Sequence, residues 1–240
     1  TVSFGRTLLV FLVHLRVHYQ LLILSGGYLL GGLYVERLNP QPFLLHFLTV
    51  HILLNGGVTA YNSFWDDDDG PIGGIEAPPK MAPWMHPAAL VVQLLGLPLI
   101  WSEGLAFVAL WLVTMALGIA YSRKGPRWKG HPFLSLVCVG IGTGTNTFLM
   151  GYLAAGDAPL GPEILVAAAG VATLLLSLYP VSQVFQIEED LRAKDLTFAA
   201  RFGLSGVRRF FALSYPAGLV VVTATLHCVH PEAALLFEIG

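Results

Sequence analysis

Residues 44–69 read LLHFLTVHILLNGGVTAYNSFWDDDD. A nearly unbroken apolar run from Leu44 to Ala60 is followed closely by four consecutive carboxylates, Asp66, Asp67, Asp68 and Asp69. The run approaches the roughly 20 residues that a helix needs to cross a bilayer. Carboxylates at the end of such a span repel one another and are costly to desolvate. They persist most naturally where a cation, or a cation-bearing substrate, sits among them.

The rest of the chain has the same character. Of its 240 residues, 55% are hydrophobic and only 12% are charged, with a mean hydropathy of +0.68. Soluble domains carry about 25% charged residues. The reading is therefore an all-α, polytopic membrane helix bundle. The ~10-residue alternating segments of a transmembrane β-barrel are absent. Seven spans are predicted, over about 7–33, 42–62, 84–102, 104–122, 132–154, 162–186 and 207–229. Pro, Gly and charge mark the breaks, as in Asn39-Pro40-Gln41-Pro42 and Gly156-Asp157-Ala158-Pro159. Cys138 and Cys228 lie in separate apolar segments, so neither a disulfide nor a metal spacing is expected. The formal net charge of −2 carries no nucleic-acid signal, and no such partner is expected. The tail from His230 to Gly240 reads as a loop and the start of another helix, so the bundle is expected to be incomplete in this sequence.

Lys and Arg orient the bundle. If seven spans alternate, Arg6, Lys80, Arg123, Lys124, Arg127, Lys129, Arg192, Lys194, Arg201, Arg208 and Arg209 share one side, and only Arg37 lies opposite. The expectation is an integral membrane protein, of a bacterial inner membrane, with its N-terminus and even-numbered loops in the cytoplasm. The Asp cluster of the second loop and Glu188-Glu189-Asp190 of the sixth then share a face. Oxygen ligands in this number suit Mg²⁺, which takes a few carboxylates plus substrate phosphates and water. Two such clusters could cradle a diphosphate.

Asn55, Thr59, Asn62 and Asp66 fall on one helical face if the second helix continues through residue 66. Polar stripes in spans face the interior or a cavity. Asn62 with Asp66 reads as a metal or diphosphate site. Asn55 and Thr59 read as either a substrate channel or interhelical hydrogen bonding. Asp67, Asp68 and Asp69 cannot all ligate, and the turn-forming Gly70-Pro71-Ile72-Gly73-Gly74 could fold Asp68 or Asp69 back toward Asp66. At the end of the sixth span, Gln183, Gln186 and Asp190 share a face, as do Gln186 and Glu189, with Arg192 and Lys194 beside them. Arg16, inside the first span, either binds phosphate or snorkels to the interface.

These residues resemble the UbiA superfamily of intramembrane prenyltransferases. Asn62-x-x-x-Asp66 followed by further Asp looks like its first aspartate motif, Asn-x-x-x-Asp-x-x-x-Asp. Tyr121-Ser122-Arg123-Lys124-Gly125-Pro126-Arg127-Trp128-Lys129 resembles its Tyr-Ser-x-x-Pro-x-Arg-x-Lys loop. Glu188-Glu189-Asp190 through Asp195-Leu196-Thr197-Phe198-Ala199-Ala200-Arg201-Phe202-Gly203 resembles the second motif and its continuation. Order and spacing agree over roughly residues 8–229, and the phrase from Tyr61 to Gly74 is similar to a less characterised branch.

The resemblance implies nine helices in one transmembrane domain over 1–240, with two C-terminal helices missing here, around a cavity open to lipid. It implies Mg²⁺, a prenyl diphosphate and an aromatic or other lipophilic acceptor. Asp66, Asn62 and Glu189 would be catalytic. Asp66, Asp68, Asp69, Glu188, Glu189 and Asp190 would hold metal, and Asn55, Asn62, Arg16, Arg127, Lys129, Gln183, Gln186 and Lys194 would bind substrate. The sequence departs from the pattern at Gly70, where the motif's last acid belongs, and has no Asp-x-x-x-Asp in its second motif. Those departures keep open a degenerate member serving as a structural, pigment- or lipid-binding subunit of a larger complex, with His14, His18, His46, His51 and His227 as candidate pigment ligands. A transporter ranks lowest, because no internal repeat is evident.

Overall fold

The computed structural model describes residues 4–67, 70–156 and 159–232, which are overwhelmingly helical. Among the described residues, six helices are long and apolar enough to cross a membrane: α2 (Pro40–Asp66), α3 (Met85–Glu103), α4 (Leu105–Ser122), α5 (Pro132–Ala155), α6 (Pro162–Arg192) and α7 (Phe198–Val229). The first apolar segment, α1, is broken into Phe4–His14, Val17–Leu22 and Gly26–Gly32, bends by 48° between Leu22 and Gly26, and makes a seventh crossing when that bent pair is counted as one span. The outer surface is apolar: Leu9, Leu22, Ile23, Leu95, Leu105, Leu213 and Val220 are each more than half exposed. A coat of this kind suits lipid and not water. The chain is an integral membrane protein.

The inside is built by close approach. Gly31 of α1 and Gly151 of α5 face each other across a contact with no room for a Cβ, because one would strike the backbone of Phe148 or Tyr28. Small residues at helix contacts are how membrane bundles bring backbones together. Around this seam Tyr28, Leu54, Phe107, Trp111, Phe148, Val222 and Leu226 form the buried core.

Three features depart from the sequence expectation, each for a local reason. Arg16 adopts a left-handed backbone (φ 49°) and breaks the first span. The two central crossings, α2 and α5, each contain a π-helical stretch, Thr49–Asn55 and Val139–Thr145. Such stretches rotate the residues beyond them around the helix axis and often mark functional sites. α7 begins at Phe198 rather than at 207: the Thr197 hydroxyl caps it by accepting from Ala200 N, and Arg201, Arg208 and Arg209 lie on its exposed side. At Gly203 (φ 62°) that helix kinks.

Candidate active site

The ends of α2, α4 and α6 meet on one face of the bundle, where they enclose a polar cavity of about 540 Å³. The second helix does continue to Asp66, so the polar stripe faces inward as its spacing implies: Asn62 and Asp66 line this cavity, and Asn55, Thr59 and Asn62 line a second one beneath it. From α6, Gln183, Gln186, Glu189 and Asp190 contribute the facing wall. Arg16 comes from the break in α1, with its Nη2 donating to Ser63 Oγ at 2.7 Å.

The loop joining α4 to α5 supplies two further cations. Lys129 Nζ lies 2.6 Å from Asp66 Oδ1, and Arg127 Nη1 lies 3.6 Å from the same atom. Arg127 also grips Asp195 with a two-pronged contact, Nε to Oδ1 at 2.8 Å and Nη2 to Oδ2 at 2.7 Å. Leu196 N donates to Gly130 O beside it, so the α4–α5 and α6–α7 loops are joined both by side chains and by backbone. Asp190 accepts from the Thr197 hydroxyl at 2.8 Å, and the Gln183 amide oxygen accepts from Ala199 N at 3.2 Å. The second acidic motif is thus tied to the start of α7.

The loop after α2 folds over the top. Ile72 and Ile75 exchange backbone hydrogen bonds at 2.9 Å, and Ile72 is buried against the cavity. Gly73 (φ 49°) presents its carbonyl to His18 Nε2 at 3.0 Å, and a Cβ there would fall 2.9 Å from Arg16 Cδ. Lys80 holds Asp67 from outside, Nζ to Oδ1 at 3.0 Å.

Among the described residues, five carboxylates (Asp66, Asp67, Glu189, Asp190, Asp195) and three cations (Arg16, Arg127, Lys129) line the cavity. Hard oxygen donors fit Mg²⁺ in kind. Among the described residues, no group of three or more His, Cys, Asp or Glu side chains is gathered closely enough to hold a metal ion. The donors fit in chemistry, and Lys129 occupies the position against Asp66.

Most of the residues singled out in the sequence gather here, and some do not. Glu188 is exposed and pairs with Arg192 at 3.4 Å, and Lys194 is exposed and lies off the cavity wall. Asn55 lines the lower cavity and not the polar one. Asp68 and Asp69 lie outside the described residues. Asp195, Tyr19, Tyr121, Tyr179, Ser182 and Thr197 line the site without having been singled out as site residues. Of these, Asp195 and Thr197 stood within the second-motif resemblance and Tyr121 within the basic-loop resemblance, the signals that could have found them.

The lower cavity measures about 430 Å³ and is mostly apolar, with Val58, Leu117, Val139, Leu175 and Leu178 on its walls. Tyr19, Asn62, Tyr121, Tyr179 and Ser182 line both cavities and form the neck between them. Tyr121 and Tyr179 join their hydroxyls across it at 2.8 Å. A charged chamber thus adjoins a lipophilic one, with these polar side chains at the boundary. Residues 21–237 match the sequence pattern of the UbiA prenyltransferase family.

The chain belongs to the UbiA prenyltransferase family. Its fold is that of a UbiA homolog from Archaeoglobus fulgidus. The structure of that homolog bound to DMAPP and Mg²⁺ superposes with a TM-score of 0.75 at 18% identity, covering 95% of this chain and 84% of that one. The homolog bound to GPP and Mg²⁺ gives 0.69 at 19% identity, covering 96% and 85%. No curated protein matches the chain.

Three of the candidate histidines each use one ring nitrogen on a protein partner. His14 Nε2 meets Pro79 O at 2.7 Å, His46 Nε2 meets Glu103 at 2.9 Å, and His51 Nδ1 donates to Phe47 O at 2.7 Å. His227 is exposed.

Proposed function

We propose that this protein is an intramembrane prenyltransferase, moving a prenyl group from a prenyl diphosphate to a lipophilic acceptor. The observation that carries this reading is the pair of adjoining cavities, one charged and one apolar, that share five lining residues. A prenyl diphosphate has the same division, a polyanion on a hydrocarbon chain. Its diphosphate belongs with Arg16, Arg127 and Lys129, and its chain belongs in the apolar cavity below. C1 then lies at the neck, between Asn62, Tyr121 and Tyr179.

Asp66, with Glu189 and Asp190 across the cavity, would hold Mg²⁺. The ion would neutralise charge on the departing diphosphate. The cationic side chains act on the same charge: guanidinium and ammonium groups in a site screened from water stabilise a developing anion strongly. When the C1–O bond breaks, its electron pair leaves on the diphosphate and an allylic cation remains. An electron pair of the acceptor then forms the new bond to C1, and the acceptor loses a proton. The folded loop over Arg16 and Ile72 keeps bulk water from capturing the cation first.

The Lys and Arg bias supports a cytoplasmic location for the polar cavity, which is where a soluble diphosphate product would leave. The test is incubation of purified protein with geranyl diphosphate, Mg²⁺ and a panel of quinone, phenol and lipid acceptors. Diphosphate release with a prenylated product, lost in Asp66→Ala, supports the reading. Binding of the donor that ignores Mg²⁺ counts against it.

A further inference from the structure

α7 is longer than the hydrocarbon layer it crosses. Residues 210–229 contain no Asp, Glu, Lys or Arg and supply the roughly 20 positions that such a layer requires. The helix nevertheless begins at Phe198 and runs for 32 residues. Residues 198–209 therefore lie outside that layer, on the side of the polar cavity, whose wall Thr197 joins. The inner side of this stretch is committed: Phe198, Ala199 and Val207 are buried together against Leu136, Val184 and Ile187. The outer side carries Arg201, Arg208 and Arg209, all exposed, with Phe202 and Leu204 between them at 39% and 47% exposure. No acid occurs between residues 196 and 230, and among the described residues none of these three arginines is ion-paired.

Cations without counter-ions beside exposed apolar side chains are the composition of a helix that lies in the bilayer interface. There the apolar groups enter the acyl boundary and the charges meet anionic headgroups. Arg192, just before this stretch, differs in being paired with Glu188. Arg201 and Arg209 are separated by about 12 Å of helix, with the Gly203 kink between them. That spread is too wide for one small anion to bridge, and it suits a row of headgroups. We propose that residues 198–209 of α7 form a docking surface for anionic phospholipid. The guanidinium groups of Arg201, Arg208 and Arg209 meet lipid phosphates, and Phe202 and Leu204 enter the acyl boundary. The proposal does not depend on the prenyl-transfer reading.

The test is native mass spectrometry of the detergent-solubilised protein, titrated with phosphatidylglycerol and separately with phosphatidylcholine of the same acyl chains. Wild type is compared with the triple variant Arg201→Gln, Arg208→Gln, Arg209→Gln. Wild type should bind phosphatidylglycerol more tightly than phosphatidylcholine. The triple variant should weaken phosphatidylglycerol by roughly tenfold and leave phosphatidylcholine unchanged. Arg123→Gln with Lys124→Gln removes two exposed cations from the same side and should preserve the preference. An equal loss in that control means attraction to overall charge and overturns the proposal. A preference that the triple variant does not alter, or no preference in wild type, overturns it as well. Displacement of bound phosphatidylglycerol by millimolar inorganic phosphate assigns the arginines to a soluble anion and also overturns it. Arg208→Gln with Arg209→Gln gives the same comparison if the triple variant is not monodisperse.

Discussion

Asp195 is the residue whose removal should disturb the site most through structure. Its side chain is 4% exposed and is held by both prongs of Arg127, at 2.8 and 2.7 Å. Breaking a buried ion pair by removing one partner costs about 3–5 kcal/mol. Arg127 keeps 23% of its side chain in solvent and also lies 3.6 Å from Asp66, so the stranded cation is partly compensated. With that discount, Asp195→Ala should lose about 2–3 kcal/mol. For a chain of this size each kcal/mol moves the melting temperature by about 2–4 °C, so the expected drop is roughly 4–12 °C. The assay is thermal unfolding in detergent of Asp195→Ala, Arg127→Ala and the double variant. The double variant should be less destabilised than the sum of the singles, by about 2 kcal/mol of coupling. Arg127→Lys should recover only part of the loss, since a point charge cannot make the fork. Additive effects, or single variants within about 0.5 kcal/mol of wild type, would refute the claim that this pair staples the two loops.

Other consequences follow from particular contacts. Gly73→Ala forces a side chain into a left-handed backbone and against Arg16, and should cost roughly 1–2 kcal/mol. Thermal unfolding, together with a raised KM for the diphosphate, would show the loop displaced. Gly151→Val drives a side chain into the backbone of Tyr28, and should destabilise by more than the ~1–3 kcal/mol of ordinary overpacking. Size-exclusion chromatography should show loss of the monodisperse fraction. Thr197→Val removes both the donor to Asp190 and the cap of α7, with an expected loss of about 1–2 kcal/mol. Thr197→Ser should restore most of it in the same melt.

The crossings were legible in the sequence because lipid demands long apolar runs, and charge bias brought the even-numbered loops to one face. The inward placement of Asn62 and Asp66 was legible as well, since a helix through Asp66 fixes them with Asn55 on one side. The rest depends on contacts distant in sequence. Asp195 reads as a surface acid next to Lys194, and its burial is set by Arg127, 68 residues away. Glu188 and Glu189 are adjacent in sequence, but a helix turns them about 100° apart, and only Glu189 reaches the polar cavity. The early start of α7 was hidden because arginines on an exposed helical side look like a loop. The π-helical stretches have no compositional mark that separates them from ordinary α-helix.

The central claim is that the charged chamber binds a prenyl diphosphate through Asp66 with a divalent cation. Equilibrium binding of geranyl diphosphate to wild type and Asp66→Asn, with and without Mg²⁺, tests it most directly. The account predicts saturable binding by wild type that Mg²⁺ strengthens, and at least a roughly tenfold loss in the variant. Wild-type binding that ignores both Mg²⁺ and the substitution, or no binding at all, would contradict it.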